Sequence, residues 1–300
     1  MRISYVRTHP LARSLDTPLR YGGGTFDTFC ATLVEIGSND GTVGVGECIG
    51  RRSPSVTATI VDTLLAPLLF DRDPRDVEGL WDEMFGMLRR WGHSRGFALE
   101  AISGVDVALH DLLARAQGIP VYKLLGGHGR ARVTCYASSV YIAGIEEMVR
   151  EATGQVALGH AALKVKIGRP ASLGGIRADV DSIREIRLAL GPGVELMLDA
   201  NSAYDAATAI RVAALAHAYN LAYAPHTGFS GGVEHLAALH LSAAAPNFTT
   251  YEYFYSPNAL REIFTSPFPR ALDGTVALPV GPGLGLDLDW DLVRRHTVPR

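Results

Sequence analysis

After Gly127 the chain alternates short apolar runs with helix-patterned segments, and this constrains the fold more than any other feature. Val133–Ala137 reads as a strand and Ile145–Leu158 as a helix, Ala162–Ile167 as a strand and 172–190 as a helix. Leu196–Ala200 is again a strand, 206–219 a helix, Ala222–His226 a strand, 233–245 a helix and 249–254 a strand. Strands alternating with helices at this spacing predict parallel βα units, in a barrel or an open sheet. In such folds the reactive side chains sit at the carboxyl ends of the strands. Lys164, Lys166, Asp199, Asn201, His226 and Glu252 all fall there.

Two of these strands carry chemistry in their period. Lys164 and Lys166 are two residues apart, so on a strand both ammonium groups point to one side; Asp199 and Asn201 repeat that spacing. A lysine pair facing a carboxylate on buried parallel strands suits proton abstraction beside a metal.

The first 127 residues differ. Thr32–Ile36 alternates, Asn39-Asp40-Gly41 signals a turn, and Thr42–Glu47 resumes a strand. From about Ser55 to Gln117 the apolar residues recur every three or four positions, until Gly118-Ile119-Pro120 ends the last helix. The expected class is therefore α/β plus α+β: an α+β domain over 1–127, a βα domain over 128–270 and a C-terminal tail over 271–300.

Composition narrows the function. A chain of 300 residues, 47% hydrophobic and with a net charge of −3, has ample core material and no electrostatic case for nucleic acid or an anionic membrane. No apolar run is long enough to span a bilayer, and the N-terminus lacks a long apolar signal core. Cys30, Cys48 and Cys135 are widely spaced and odd in number, which reads as reduced thiols in a cytoplasmic protein.

A set of motifs in order along the chain resembles one family. They are the run from Ala101 to Asp111, Pro120 to Gly127, Lys164-Val165-Lys166, Leu198-Asp199-Ala200-Asn201, Ala224-Pro225-His226 and Gly281-Pro282-Gly283-Leu284-Gly285. Together they resemble the enolase superfamily, in its mandelate racemase and muconate lactonizing enzyme branch. The resemblance implies a capping domain, a modified βα barrel and a tail that returns to the cap. It implies removal of a proton α to a carboxylate, with Mg²⁺ stabilising the enediolate. Lys166 would be the base, Lys164 would hold the carboxylate and lower the pKa of Lys166, and His226 would act on the opposite face. Asp199 would ligate the metal, and Glu252 would hydrogen-bond near the substrate carboxylate, with Asn201 beside it. Cap segments around Arg20–Gly24 and Arg51–Ser53 would close over the substrate.

The chain also departs from the family pattern. The family has two further metal carboxylates and an aspartate partner for the histidine, whereas only Asp205 lies between Asn201 and His226. The expected barrel is truncated to about half the usual strands, with about four βα units of ~30 residues each absent between 206 and 219. Such a half-barrel could close by pairing with a second copy about a twofold axis.

Blander roles compete at several positions. Asp199 and Asn201 suit a strand-end turn or helix cap. His226 suits a hydrogen-bonded loop, and Glu252, between aromatics, a structural role. His235 and His240 read as surface or packing residues. Gly228–Gly232 could receive an anion at a helix N-terminus, with a plain loop as the simpler reading. The functions left open are a sugar-acid dehydratase, a racemase or cycloisomerase, a carboxylate-binding protein with impaired catalysis, and a self-associating scaffold.

Overall fold

The computed structural model describes residues 1–127, 131–199, 201, 231–244, 248–255 and 257–298. The N-terminal domain begins as a long antiparallel hairpin, β1 (Ile3–Tyr21) and β2 (Gly24–Ser38), with β3 (Val43–Ile49) added to β2. The turn at Asn39–Gly41 lies between β2 and β3, as its residues predict. α1 (Pro54–Ile60) runs through a π turn at Val61–Leu65 into α2 (Ala66–Leu69). α3 (Val77–Arg90) is capped by the Asp76 side chain, which accepts from the Gly79 N–H. α4 (Phe97–Ala116) ends at Gly118, whose φ of +67° suits glycine.

Helix α4 lies directly on β3, and glycine makes that approach possible. A Cβ on Gly44 would sit 2.2 Å from the Ala108 carbonyl oxygen, and one on Gly46 would sit 1.9 Å from that of Gly104. The alternating glycines of Val43-Gly44-Val45-Gly46 thus give the helix a flat seat, and the buried Ala101, Val105, Ala108 and Leu112 fill it.

After the short α5 (Val121–Leu124) the βα units begin. β4 (Arg132–Val140), α6 (Ile145–Ala157), β5 (Ala162–Lys166), α7 (Gly175–Leu190) and β6 (Glu195–Asp199) follow in turn. α8 (Gly232–Ala244) and β7 (Tyr251–Tyr253) complete the described units. β7, β4, β5 and β6 are parallel neighbours in that order, so the last described parallel strand pairs with the first strand of the domain. Among the described residues these four strands form an open arc with β6 at its edge. The helix expected over 206–219 and the strand over 222–226 lie outside the described residues.

The tail adds strands to the sheet. β8 (Ala271–Leu272) and β9 (Thr275–Ala277) form a hairpin, and β9 joins β4 antiparallel along Arg132–Thr134. Strands of two and three residues are too short to show a repeat in the sequence. The chain then does return to the N-terminal domain. Val121 N–H and Gly283 N–H exchange bonds with the Gly283 and Ile119 carbonyls at 2.9 and 3.0 Å, and Val298 N–H reaches the Pro10 carbonyl at 2.9 Å. The last helix, α9 (Trp290–His296), packs against β1.

Two buried acids tie the pieces together. Asp111 on α4 accepts from Val45 N–H (2.9 Å), Leu284 N–H (2.7 Å) and Arg115 Nε (2.8 Å), linking sheet, helix and tail. Glu47 on β3 accepts from Gly231 N–H and, at 3.1 and 3.2 Å, from Val233 and Glu234 N–H. The N-terminus of α8 is thus capped by the protein's own Glu47 side chain.

Candidate active site

β5 pairs with β6 so that Lys164 lies opposite Met197 and Lys166 opposite Asp199; β4 pairs with β7 so that Tyr136 lies opposite Glu252. With side chains alternating along each strand, Tyr136, Ser138, Lys164, Lys166 and Glu252 converge on one face. Lys166 Nζ donates to Asp199 Oδ2 at 2.6 Å and to Asn201 Oδ1 at 3.2 Å. Lys164 Nζ lies 3.3 Å from the same Asp199 oxygen and donates to Glu252 Oε1. Ser138 Oγ donates to that glutamate oxygen at 2.7 Å, and Lys164 Nζ sits 5.7 Å from the centre of the Tyr136 ring.

The cluster is deep. Lys166 is 3% exposed, Lys164 8% and Glu252 0%. Two ammonium groups face two carboxylates, so the charges compensate, as burial requires. Burial pushes the Lys166 ammonium below its ordinary pKa and the Lys164 charge adds to this, while Asp199 opposes both. Burial works upward on Asp199, but the Lys166 bond and charge, the Asn201 N–H and Lys164 hold it down to about 2. Burial and the neighbouring carboxylates push the Tyr136 phenol up.

Backbone geometry fixes the strand ends. Asn201 adopts φ +50° and gives its N–H to Asp199 Oδ1 at 2.9 Å, the strand-end turn that Asp and Asn favour. After β5, buried Asp179 accepts from the N–H groups of Gly168 (2.8 Å) and Arg169 (3.0 Å) and pairs with the Arg169 guanidinium at 2.7 Å. The loop beyond the lysines is therefore pinned by one carboxylate.

The remaining candidates are placed differently. Arg20 stands at the tip of the β1–β2 hairpin, where its carbonyl accepts from Ile142 N–H at 3.0 Å. Around it a cleft of about 460 Å³ reaches Pro170, Ser172 and Leu173, beyond the carboxyl end of β5. Arg51 is exposed and pairs with Glu100 of α4. Arg52 donates to the Thr25 carbonyl at 2.7 Å, and Ser53 precedes α1. Arg51 and Arg52 thus find partners inside the N-terminal domain. His226 and Asp205 lie outside the described residues. His235 and His240 are fully buried packing residues of α8. Tyr136 and Ser138 escaped the sequence reading, although their spacing of two on a predicted strand is the same signal that marks the lysines.

Mg²⁺ demands near-octahedral oxygen ligation. Among the described residues no three His, Cys, Asp or Glu side chains cluster to hold a metal. Among the described residues the carboxylates at these strand ends are Asp199, which both lysines engage, and Glu252, which Lys164 and Ser138 engage. The described residues do not make a magnesium site.

Comparison with known proteins follows the same outline. The model of the mandelate racemase / muconate lactonizing enzyme N-terminal domain matches residues 3–126, and that of the enolase C-terminal domain-like family matches 147–214 and 208–292. The chain belongs to the enolase superfamily. Within it, the mandelate racemase and muconate lactonizing enzyme branch holds the relatives. It is 37% identical over 214 residues to a D-galactarolactone cycloisomerase of Agrobacterium fabrum, covering 70% of this chain and 54% of that protein. It is 35% identical over 173 residues to an arabinonate dehydratase of Saccharolobus solfataricus, covering 57% and 45%. This enolase-superfamily chain thus spans about half the length of the curated relatives it matches. A crystal structure of a racemase from Streptomyces coelicolor with bound magnesium superposes with a TM-score of 0.83 at 26% identity, covering 99% of this chain and 100% of that one.

Proposed function

We propose that the lysine–carboxylate cluster binds a small hydroxylated carboxylate and that Lys166 removes the proton α to it. The observation that carries this reading is the pair of buried lysines, two residues apart on β5, sharing Asp199 with Glu252 behind them. Lys164 would hold the substrate carboxylate, and Glu252, anchored by Ser138, would position Lys164. Lys166, with its pKa pressed down by burial and by Lys164, has the free base available nearer neutrality than an ordinary lysine. Arg20 would meet substrate hydroxyls from the hairpin tip, Asn201 would do so beside Asp199, and Arg51 would guard the outer cap. His226 would serve as the acid or base across the substrate, and Asp199 would ligate Mg²⁺ if further ligands came from beyond the described residues.

Among the family chemistries we favour dehydration of a sugar acid. Loss of the α-proton to Lys166, and of the β-hydroxyl as water with a proton given by His226 acting as acid, would leave an enol that becomes a 2-keto-3-deoxy acid. The dehydratase and cycloisomerase names of the relatives support this class, with racemisation or cycloisomerisation of the same substrates as the alternative. Proton NMR in D₂O, with a panel of sugar acids and Mg²⁺, tests it. Exchange or loss of the α-proton is expected for at least one acid; none across the panel would sink the catalytic reading.

A second reading is carboxylate binding without turnover, and the incomplete magnesium ligation among the described residues favours it. Saturable sugar-acid binding in calorimetry, with no proton exchange, would establish it.

We further propose that two chains associate through the open edge of the arc. Leu198 on β6 is 53% exposed, and Ile176 and Val180 on α7 are 64% and 50% exposed. A second copy would cover these side chains and extend the arc toward a closed barrel. Among the described residues no helix is long and apolar enough to cross a membrane. Three buried free thiols, Cys30, Cys48 and Cys135, support a reducing, cytoplasmic setting for the protein.

A further inference from the structure

The strand that supplies Ser138 to the lysine cluster presents its neighbour to a different space. Ser138 meets Glu252 on one face of β4, whereas Ser139, at a register shift in the pairing of β4 with β5, faces a different space. There it lines a cavity of about 570 Å³ between the end of β4, helix α6 and the segment after β7. That volume lies in the range of small-molecule pockets. We propose that this cavity is a second binding site, for a neutral polyhydroxylated molecule of monosaccharide size.

Two buried atoms point to a ligand. Ser139 is 8% exposed and Gln155 7% exposed, yet among the described residues Ser139 Oγ and Gln155 Oε1 have no hydrogen-bond partner. The amide orientation of Gln155 follows from its other end, where Nε2 donates to Glu151 Oε1 at 2.9 Å. What Gln155 offers the cavity is therefore an acceptor, and what Ser139 offers is a hydroxyl. Buried polar atoms left without partners are costly and uncommon in folded proteins.

Charge and shape narrow the ligand class. Glu147 and Glu151 line the cavity with Arg150 as the single cation among its described lining residues, so a sugar acid would meet excess negative charge there. Gln155 Oε1 and the two glutamates together ask for a ligand rich in donors, which hydroxyl groups supply. Tyr141 and Tyr255 add aromatic rings suited to the C–H face of a sugar. Both rings are held: Tyr141 edge-on to Phe254 at 6.2 Å, and Tyr255 by His160 Nε2 at its hydroxyl, 2.8 Å away. The ligand would thus be neutral and polyhydroxylated, distinct in charge from the acid proposed for the lysine cluster, and the inference does not depend on that proposal.

The test is calorimetry or saturation-transfer NMR on the full chain with D-galactose, galactitol and D-galactono-1,4-lactone, beside galactarate and putrescine. Saturable binding of at least one neutral polyol is expected. It should weaken about tenfold in Gln155→Leu and severalfold in Ser139→Ala, and persist in Lys166→Ala. Circular dichroism checks each variant; should Gln155→Leu fail to fold, Ser139→Ala and Tyr141→Leu, both expected to weaken binding, decide the matter. Three results would overturn the proposal: no saturable polyol binding up to tens of millimolar, polyol binding lost in Lys166→Ala but kept in Gln155→Leu and Ser139→Ala, or tighter binding of putrescine than of every polyol.

Discussion

Strands β2 and β6 are built from similar residues and end in opposite circumstances. Cys30-Ala31-Thr32-Leu33-Val34 in β2 is buried without a break, covered by helices on one face and by the shared core of the two domains on the other. Leu196-Met197-Leu198 in β6 is no less apolar, yet none of its residues is buried among the described neighbours. The same contrast separates α4, with eleven buried residues, from α7, with three. An apolar run specifies that something must cover it, and the cover itself comes from elsewhere in the fold. The N-terminal domain and tail supply their own cover. The arc supplies part of its cover and keeps its reactive groups at its open side.

Substitutions on the two sides of this divide should therefore fail in different ways. In the arc, Lys166→Met should lower α-proton exchange by about 10²–10⁴-fold, the usual range for a lost general base. Its urea midpoint should fall by less than that of Asp111→Ala, because the cost of charging buried Lys166 disappears with it and Lys164 stays beside the Asp199 carboxylate. In the closed half, Asp111→Ala strands the Val45 and Leu284 N–H groups and one side of Arg115. That change should cost about 3–5 kcal/mol of stability, read by chemical denaturation. A stable Asp111→Ala protein, or a Lys166→Met protein that unfolds, would erase the contrast.

The divide also explains what could be read before the structure. The facing of Lys164 and Lys166, the strand-end place of Asp199 and the parallel order of the units follow from periods of two and 3.6, which are local. Tyr136 and Ser138 carry the same local signal, but serine and tyrosine in a strand are too common to stand out. What escaped local reading was long-range pairing. Nothing near Arg51 marks Glu100 as its partner, and nothing near Glu47 shows that it caps a helix 184 positions later. The β8–β9 hairpin escaped because strands of two and three residues are too short to repeat a pattern.

A pH experiment sharpens the contrast at the tail. Burial pushes the His240 imidazole down to about 4, opposed by the Leu284 carbonyl, to which Nε2 donates at 3.2 Å; Nδ1 accepts from Tyr122 N–H at 3.3 Å. The unfolded chain keeps an ordinary histidine near 6.5, so between pH 6.5 and 4 it binds the additional proton. Stability is full above that window and falls as pH drops through it, by about 3 kcal/mol in all. Glu47 runs the other way. Burial and the Glu234 charge raise it to about 8, so its contribution is full below about 4.5 and is lost as pH rises toward 8. Denaturation of the wild type and of His240→Gln across pH 4 to 7 separates the two. The variant should lose the acid decline and keep the Glu47 slope; an unchanged decline would refute the assignment to His240.

The smallest expected effect lies at the open edge, where the comparison is most exposed to failure. If a second chain covers β6 and α7, then Ile176→Asp places a charge inside an apolar contact. The side chain is already 64% exposed in the single chain, so monomer stability should change little. Association should weaken about tenfold or more, because burying an unpaired carboxylate outweighs the ~1.4 kcal/mol that a factor of ten represents. Sedimentation velocity over a range of concentrations reads both quantities, with Trp91→Asp, another exposed apolar position on the N-terminal domain, as the control. A wild-type chain that sediments as a monomer and melts cooperatively would mean that the exposed face of the arc is tolerated. The difference between β2 and β6 would then reflect how much cover each strand can do without, and no second chain would be needed to account for it.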